Sequence, residues 1–520
     1  MGNDSNNIDD EQRRESRHKR RVRQRVVAFI WLLLIVSVLT VAGIVLWGKF
    51  GNQIQEKLSK LGVGKTESSA DVTGEPVTPQ PTGDDVQQII EELLAGEDDI
   101  VVGEPSPTPT PLPTEQEYED NLNETIAAMS LEDKIAALII TTPEQLTGAD
   151  RVTQAGEGTK KAWEDTKVGG LIYDIKNYKS DEQFVQMLSN ANEYANDRLM
   201  LIAREGLGDN SVWSKAVSGT TTKNPLEIGN SLDPYNAYFE AASSWVTLKK
   251  LGFNANFGLS LSVIPEDVAP DKDEADDTDT DNQTEDKSEN SNANQDGENS
   301  DGNDTNELSK YTFSFGNDPD MVGKMLYQEA DAAETLKLIE GVVDFPTIGE
   351  INNETGYKSS EYTIEDIANR EGLVLKNAVM GGVDCVIVSH LTMPNAITDA
   401  VPASLSKEIM TDLIRETLEL HDIIVITDEM NKPEITDYYT SAEAAVKAIK
   451  AGADMVMCPE NLEEAINGVI EAVNSGVISE ERINMSLKRI FRVRDAIKDE
   501  TSDIDTTDTE TNETEENPVE

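Results

Sequence analysis

Charged side chains stand directly after several apolar runs of the sequence. The positions are Arg204 and Glu205 after RLMLIA, Glu350 and Glu354 after VVDFP, His390 after DCVIVS, and Asp428 after DIIVIT. Two carboxylates that face each other across a cleft can cleave a glycosidic bond, because one attacks or stabilises the anomeric carbon while the other protonates the leaving oxygen. These residue types are compatible with cleavage of a glycosidic bond, but they do not by themselves identify it as the function.

Eight short apolar runs supply the strands that would hold these side chains. They read ALIIT, GGLIYD, RLMLIA, FNANFGLSLSV, LKLIEGVVDF, DCVIVSH, DIIVITD and ADMVMC. Amphipathic stretches such as SDEQFVQMLSNANEYAN, PASLSKEIMTDLIRETLEL and TSAEAAVKAIKAG alternate with them, each opening near a Ser, Thr or Asp that can cap a helix. This alternation is typical of repeated strand–helix units around a parallel sheet.

The number of units predicts an α/β fold, a TIM-like (β/α)8 barrel enlarged by insertions. In such a barrel the chemistry lies on loops at the carboxyl ends of the strands, where the charged residues above would fall. An open, doubly wound sheet is the alternative. No Gly-x-Gly-x-x-Gly follows the first strand, so a dinucleotide site has no support and no cofactor is expected.

Composition excludes several classes of function. The chain has 520 residues and a formal net charge of −55, whereas nucleic-acid-binding proteins select basic surfaces, so no nucleic-acid partner is expected. Two cysteines, Cys385 and Cys458, cannot build a disulfide framework, and no Cys/His cluster has zinc-ligand spacing, so no metal site is expected. Both cysteines lie in apolar runs and are predicted to be core residues. Only three histidines are present in the whole sequence.

The amino end predicts a membrane anchor. Within the amino-terminal segment 1–25, residues 13–25 are strongly basic, and the residues 26–47 that follow carry no charge. As a helix this apolar stretch would span roughly 33 Å, enough for a hydrocarbon core of about 30 Å. A cleaved secretory signal is the alternative, but its apolar core would be about 7–15 residues long. We therefore expect one transmembrane helix over 26–47, a cytoplasmic basic segment and an extracellular remainder at the cell membrane.

Three further segments have the composition of linkers. Residues 48–115 form a Pro-rich extracellular linker, residues 266–307 an acidic insert predicted to be disordered, and residues 499–520 an acidic tail of the same kind. The insert lacks the regular spacing of a calcium-binding loop. One folded region, residues 116–498, remains.

Several motifs of that region resemble one known family. The string VSHLTMPNAITDAVPASLSKEIMTDLIRETLELHDIIVITDEM is similar to the family-three glycoside hydrolases, specifically their single-barrel β-N-acetylhexosaminidase branch. LEDKIAALII, VGGLIYD, LGFNANFGLSLSV, FSFGNDPDMVG and GVISEERINMSLKRI agree in the family's order. The resemblance covers most of 116–498. It implies a barrel that acts on glycans, with peptidoglycan fragments as suspected ligands.

The resemblance also implies roles for particular residues. Asp428 stands at the family's nucleophile position, where it would form a covalent glycosyl intermediate. A helix-capping or salt-bridged aspartate is the alternative. Glu205 remains from the family's Asp-x-Glu-Gly-Gly motif, and His390 belongs to the strand-end motif, so both become candidate substrate-binding residues.

Other parts of the family's site are missing. Where the family has Lys-His-Phe-Pro-Gly-His-Gly followed by an Asp-x-His acid/base pair, this chain reads VDFPTIG and carries no histidine on the loop. Asp344, Glu350 and Glu354 are the candidate replacement acids. The family's sugar-binding Asp aligns with Ala203 and its Arg with Phe313, while Ser262 replaces a further Asp.

Three interpretations follow. The chain is a working retaining glycosidase with a replacement acid, or a barrel with reduced or lost activity that binds a glycan or a protein, or a structural surface spacer. Losing a general acid alone costs about 10²–10⁴ in rate, so the second interpretation is favoured for present activity and the first for ancestry.

Overall fold

The computed structural model describes residues 115–196, 198–265, 268, 311–353 and 355–497. The predicted basic segment, the transmembrane span, nearly all of the Pro-rich linker, the acidic insert, the tail and Glu354 lie outside these residues. Within the described part of the chain, no helix combines the length and apolar character that crossing a membrane requires.

Eight parallel strands close into a barrel, in the order β1-β10-β9-β8-β5-β4-β3-β2. The barrel strands are β1 (Ile139–Thr141), β2 (Gly170–Ile172), β3 (Met200–Ala203), β4 (Ala255–Ser260), β5 (Ile339–Phe345), β8 (Cys385–Val388), β9 (Ile424–Glu429) and β10 (Met455–Met457). Each of the eight predicted runs supplies one strand. Ile140 of β1 pairs with Gly170 on one side and Met457 on the other, so the sheet is closed and the open-sheet alternative is wrong.

A short antiparallel hairpin follows β5 outside the barrel. Its strands are β6 (Glu350–Ile351) and β7 (Lys358–Ser359). Ser359 also forms an isolated bridge with Thr392, which follows β8, so the hairpin joins the loops after β5 and β8.

Helices surround the barrel and lead from each strand to the next. They are α1 (Glu115–Ala128), α2 (Leu131–Ala136), α3 (Pro143–Thr147), α4 (Glu157–Asp165), α5 (Asp181–Tyr194), α6 (Trp213–Val217), α7 (Pro225–Asn230), α8 (Tyr235–Leu251), α9 (Pro319–Thr335), α10 (Ile364–Asn369), α11 (Glu371–Gly381), α12 (Pro433–Thr436), α13 (Ser441–Ala451), α14 (Leu462–Asn474) and α15 (Glu480–Ala496). Hydroxyl caps begin many of them: Ser180 accepts from the Gln183 amide at α5, and Thr440 forms a capping box with Glu443 at α13.

The predicted helix PASLSKEIMTDLIRETLEL is divided in the structure. Ala403–Leu405 form a 3₁₀ turn, and Glu408–Thr417 form a π-helix. The Leu405 and Ser406 amides donate to the carbonyls of Pro402 and Ala403, which closes the 3₁₀ turn. The Ala403 and Ser404 amides donate to the carbonyls of Leu391 and Ser389 and so hold this turn against the loop after β8. The helix therefore starts several residues later than the sequence pattern indicates.

The amino-terminal end of the barrel is fixed by a buried ion cluster. Asp454, fully buried just before β10, accepts from Arg415 at 2.6 Å and from Arg489 at 2.9 Å. Cys385 and Cys458 are buried free thiols, as predicted for core residues. This end of the barrel is structural, which leaves the opposite end for a site.

Candidate functional site

Three adjoining cavities lie at the carboxyl ends of the barrel strands. Their volumes are about 380, 270 and 240 Å³. Asp344 lines all three, and Asp428 lines the two smaller ones. The structure thus brings two of the predicted carboxylates, from β5 and β9, to one concave region, which we call the candidate cavity.

Asp428 lies half-buried near the end of β9, with both carboxylate oxygens engaged. Its Oδ2 is 2.7 Å from the Lys432 ammonium, and its Oδ1 accepts from the Glu429 amide at 2.7 Å. Burial raises the pKa of Asp428, but the positive charge of Lys432, the interaction with His390 and these hydrogen bonds outweigh it and hold the pKa below its usual value. Asp428 is therefore an ionised, salt-bridged carboxylate on the cavity wall.

Lys432 and Arg204 are further charged residues of the cavity, to which the sequence patterns assigned no role. Lys432 stands four residues after Asp428, at the residue before α12, and Arg204 follows β3. The Arg204 guanidinium pairs with the Glu429 carboxylate at 3.1 Å. For Arg204 the sequence signal was its position directly after an apolar run. For Lys432 it was the i, i+4 spacing from Asp428, which indicates an ion pair only where the backbone brings the two side chains together.

Asp344 reaches the cavity through a β-bulge. Val342 pairs with Val386 and Phe345 with Val388, so β5 contains one residue more than β8 between these pairs. Asp344 occupies the bulge with φ +66°, in the left-handed region that few side chains adopt. Such bulges redirect a side chain beside a site.

Serine hydroxyls lie around the Asp344 carboxylate. Its Oδ2 accepts from Ser260 at 2.7 Å, and the Ser262 hydroxyl is 3.4 Å away. Ser262 is the residue that replaces an aspartate of the family pattern, and here it contacts a different carboxylate. Phe313, which replaces the family's arginine, lines the largest of the three cavities.

Glu350, another candidate acid, lies outside the candidate cavity. Glu350 is exposed on the hairpin strand β6 and lines none of the three cavities, although Lys358 of the paired strand β7 lines two of them. Glu354 lies outside the described residues. Asp344 is thus the one replacement candidate that the described part of the chain brings beside Asp428.

His390 lines the cavity with both ring nitrogens engaged. Nε2 lies 2.9 Å from the Glu429 carbonyl, which can only accept, so Nε2 carries the proton. Nδ1 then accepts from the Ser404 hydroxyl at 2.6 Å. Burial lowers the pKa of His390, against an opposing effect of Asp428. The imidazole is a neutral strut between the loops after β8 and β9, so its predicted substrate contact is replaced by contacts within the chain.

Glu205 is a structural carboxylate rather than a ligand contact. It is fully buried and accepts from the Val212 and Trp213 amides at 2.8 and 2.6 Å. The hydroxyls of Ser211 and Ser244 donate to its Oε1 at 2.9 and 2.8 Å. With its oxygens saturated by the chain, Glu205 anchors the loop between β3 and α6.

A glycine on β4 lets this anchored loop approach closely. A Cβ added to Gly258 would stand 2.0 Å from the Glu205 carbonyl oxygen, so no other residue fits there without movement of the backbone. This contact keeps Gly206, which lines the largest cavity, against β4. Packing thus accounts for Glu205 and Gly206, the part of the family's motif that remains in this chain.

Comparison with known proteins identifies the family of the barrel. Residues 302–493 match the Glycosyl hydrolase family 3 N terminal domain. The chain contains a glycosyl hydrolase family 3 domain. The family predicted from the sequence motifs is confirmed.

Two curated relatives carry matching names. A β-N-acetylglucosaminidase/β-glucosidase of Cellulomonas fimi is 25% identical over 194 residues, covering 35% of this chain and 34% of the relative. β-Hexosaminidase A of Pseudoalteromonas piscicida is 21% identical over 203 residues, again 35% of this chain and 34% of the relative. The match thus spans about a third of the length of each relative.

Two solved structures share the fold. A glycoside hydrolase family 3 β-N-acetylglucosaminidase from Paenibacillus has a TM-score of 0.57 at 22% identity, covering 74% of this chain and 66% of that chain. A β-N-acetylhexosaminidase from Beutenbergia cavernae has a TM-score of 0.54 at 17% identity, covering 71% and 99%. At these identities the likeness concerns the fold.

Proposed function

We propose that the chain is a family-three barrel that binds β-N-acetylglucosaminyl glycans and hydrolyses them slowly or not at all. The proposal rests on the contacts of two cavity residues, the His390 imidazole and the candidate nucleophile Asp428. His390 has both ring nitrogens occupied by the chain, and Asp428 is neutralised by Lys432. Retaining hydrolysis needs a free carboxylate and a mobile proton, and neither residue offers one.

The pairing of Asp428 weakens it as a nucleophile. An oxocarbenium-like transition state carries positive charge at the anomeric carbon, which an ionised carboxylate stabilises. The Lys432 ammonium, 2.7 Å from Oδ2, offsets that negative charge before a sugar arrives. Attack by Asp428 must therefore break a salt bridge that the resting chain has formed.

No other histidine of the described residues can deliver the proton. His421 is exposed and precedes β9, so it lies at the opposite end of the barrel from the cavity. Asp344 and Glu434 are the other described carboxylates that line the cavity together with Asp428. Glu434 lies in α12, which follows Asp428, whereas Asp344 comes from β5 and accepts from serine hydroxyls. A carboxylate held as an acceptor is poorly placed to donate a proton to a leaving oxygen.

The remaining features of the cavity suit a sugar. Its largest part, about 380 Å³, is within the size range of small-molecule sites. Asn210, Ser260 and Arg204 offer hydrogen-bonding groups, and Phe313 offers an aromatic wall. A few polar groups on a partly apolar surface are what orientation of a small ligand requires.

Turnover and binding assays on the purified full chain test the proposal. We expect saturable calorimetric binding of chitooligosaccharides or muropeptides, and little or no release of nitrophenol from nitrophenyl β-N-acetylglucosaminide. Glu227→Gln is the matched control, since Glu227 is exposed and lines none of the three cavities. Rapid turnover that Asp428→Asn abolishes and Glu227→Gln preserves would reject the loss of activity. Absence of any saturable glycan binding would reject the glycan as ligand.

The cellular location is part of the same proposal. The uncharged residues 26–47 after a basic segment support a single-pass anchor with the barrel outside the cell. Membrane fractionation of cells that make the full chain, compared with a variant lacking 26–47, tests it. Recovery of both proteins in the same soluble fraction would overturn the anchor, and protection of the barrel from protease in intact cells would overturn its orientation.

A further inference from the structure

A groove separate from the candidate cavity lies on the outer wall of the barrel. It has a volume of about 610 Å³ and is bounded by α2, α3 and α14, beside the seam where β1 pairs with β10. We call it the seam groove. None of its lining residues lines the three cavities at the barrel mouth.

Aliphatic side chains form the floor of the seam groove. Leu146 comes from α3, while Leu462, Ile466 and Ile470 come from one face of α14 at helical spacing. Ile466 is nearly buried, whereas Leu146, Leu462 and Ile470 are partly exposed. Partly exposed aliphatic residues in a concave surface gain free energy when a partner's apolar side chain covers them.

Acidic side chains form the rim of the seam groove. Glu132, Glu460 and Glu463 are exposed there, and within the described residues none of the three has an ion-pair partner. The one cation that lines the groove, Lys167, is already paired with Asp133 at 2.7 Å. The groove therefore combines an aliphatic floor with a rim of uncompensated negative charge.

We propose that the seam groove binds a cationic amphipathic segment of a partner protein. Lys or Arg side chains of that segment would pair with Glu132, Glu460 and Glu463, while its aliphatic side chains would cover Leu462 and Ile470. This combination is the recognition mode of an amphipathic helix in a groove. A second copy of the chain is disfavoured as occupant, because its net charge of −55 would oppose the acidic rim.

A labelled model peptide tests the proposal on the full chain. The probe is a helix-forming Leu/Lys peptide of about 18 residues with leucines at i, i+3, i+4 and i+7, and a scrambled peptide of the same composition is its control. Fluorescence anisotropy gives the dissociation constant. We expect tight binding of the amphipathic peptide and weaker binding of the scrambled one.

Two variants of equal net charge separate the groove from general attraction to an acidic chain. The rim variant carries Glu132→Gln, Glu460→Gln and Glu463→Gln. The matched control carries Glu193→Gln, Glu227→Gln and Glu365→Gln, which are exposed and lie outside the groove. We expect the rim variant to weaken binding about tenfold and the control less than about twofold.

Three results would overturn the proposal. Equal weakening by both variants, or equal binding of the scrambled peptide, would show attraction to net charge alone. Hydrogen exchange gives the location independently: we expect the peptide to slow exchange of amides in α14 and α2. Slowing confined to other parts of the chain would place the peptide elsewhere and reject the seam groove as its site.

Discussion

The ammonium of Lys432 lies 2.7 Å from Oδ2 of Asp428, at the carboxyl end of β9. This contact places a positive charge against the residue at the family's nucleophile position. Burial alone would raise the pKa of Asp428, so the lysine helps to keep the carboxylate ionised while it also neutralises it. The Asp428–Lys432 pair thus stabilises the cavity and at the same time weakens Asp428 as a nucleophile.

The first prediction concerns release of this pair. We expect Lys432→Met to raise the pKa of Asp428, because burial is then less opposed, and to increase turnover of dinitrophenyl β-N-acetylglucosaminide about tenfold. Dinitrophenolate leaves without protonation, so this substrate reports on the nucleophile independently of the missing acid. Spectrophotometric initial rates across pH measure both effects.

A surface pair provides the control for Lys432→Met. Lys407 pairs with Asp412 on an exposed part of the π-helix, and both side chains are at least half exposed. Lys407→Met should leave the rate unchanged and have little effect on stability, because water screens an exposed ion pair. An unchanged or lower rate in Lys432→Met would contradict the view that the lysine restrains Asp428.

The second prediction concerns His390. Its folded pKa lies below its unfolded pKa, so the unfolded chain takes up a proton first as pH falls below about 6.5. The contribution of His390 to stability is therefore present at neutral pH and lost on acidification. Urea denaturation at several pH values, compared with His390→Gln, should show a steeper acid loss of unfolding free energy in the parent.

The imidazole tautomer gives an independent readout for His390. Nitrogen NMR should show the proton on Nε2, which faces the Glu429 carbonyl. A proton on Nδ1, or the same acid dependence in parent and His390→Gln, would contradict the neutral-strut role.

The third prediction separates structure from ligand binding at Glu205. Glu205→Gln replaces one acceptor oxygen by a donor that faces backbone amides or hydroxyls, so we expect destabilisation by about 3–5 kcal/mol. Glycan affinity of the folded fraction should not change, because the side chain is buried away from the cavity. Glu227→Gln, on an exposed helix turn, is the control for both measurements. A large loss of affinity without a loss of stability would restore Glu205 as a ligand contact.

The strands were predictable because barrel strands are buried on both faces. Each therefore appears as a short continuous apolar run, and all eight runs proved to be strands, such as the one from Ile424 to Glu429. The closure of the sheet was harder to predict, since it depends on pairing between β1 and β10, the first and last strands in the chain. A periodic sequence pattern gives the number of strand–helix units, but it does not by itself show that the last strand pairs with the first.

The site was predictable in position and less so in role. The sequence places Asp428 and Glu205 equally well after strands, but one faces a cavity and the other is enclosed by donors from residues far along the chain, such as Ser244. Asp344 reaches the cavity through a bulge that no local pattern indicates. The role of such a carboxylate depends on its contacts in the folded chain, and a sequence motif does not show these contacts.

The last prediction concerns a buried group of carboxyls near the start of β5 and β8. Glu340 and Glu329 are buried, and burial raises the pKa of each well above its ordinary value. Asp384 accepts from the Glu340 amide at 3.1 Å, and burial raises the pKa of Asp384 to about 7. Since each folded pKa exceeds the unfolded one, the chain gains a proton on folding and loses stability as pH rises from about 4 to 7.

Asp384→Asn should remove part of this loss. The amide oxygen of Asn can still accept from Glu340, and no charge has to be buried, so the variant should gain stability over the parent as pH approaches 8. The gain has an upper bound of about 4 kcal/mol. Asp422→Asn, exposed before β9, should keep the parent's pH dependence. Urea denaturation between pH values of about 4 and 8 measures both variants. If the Asp384→Asn and parent curves run parallel, Asp384 ionises in the folded chain as easily as in the unfolded one, and the burial argument fails.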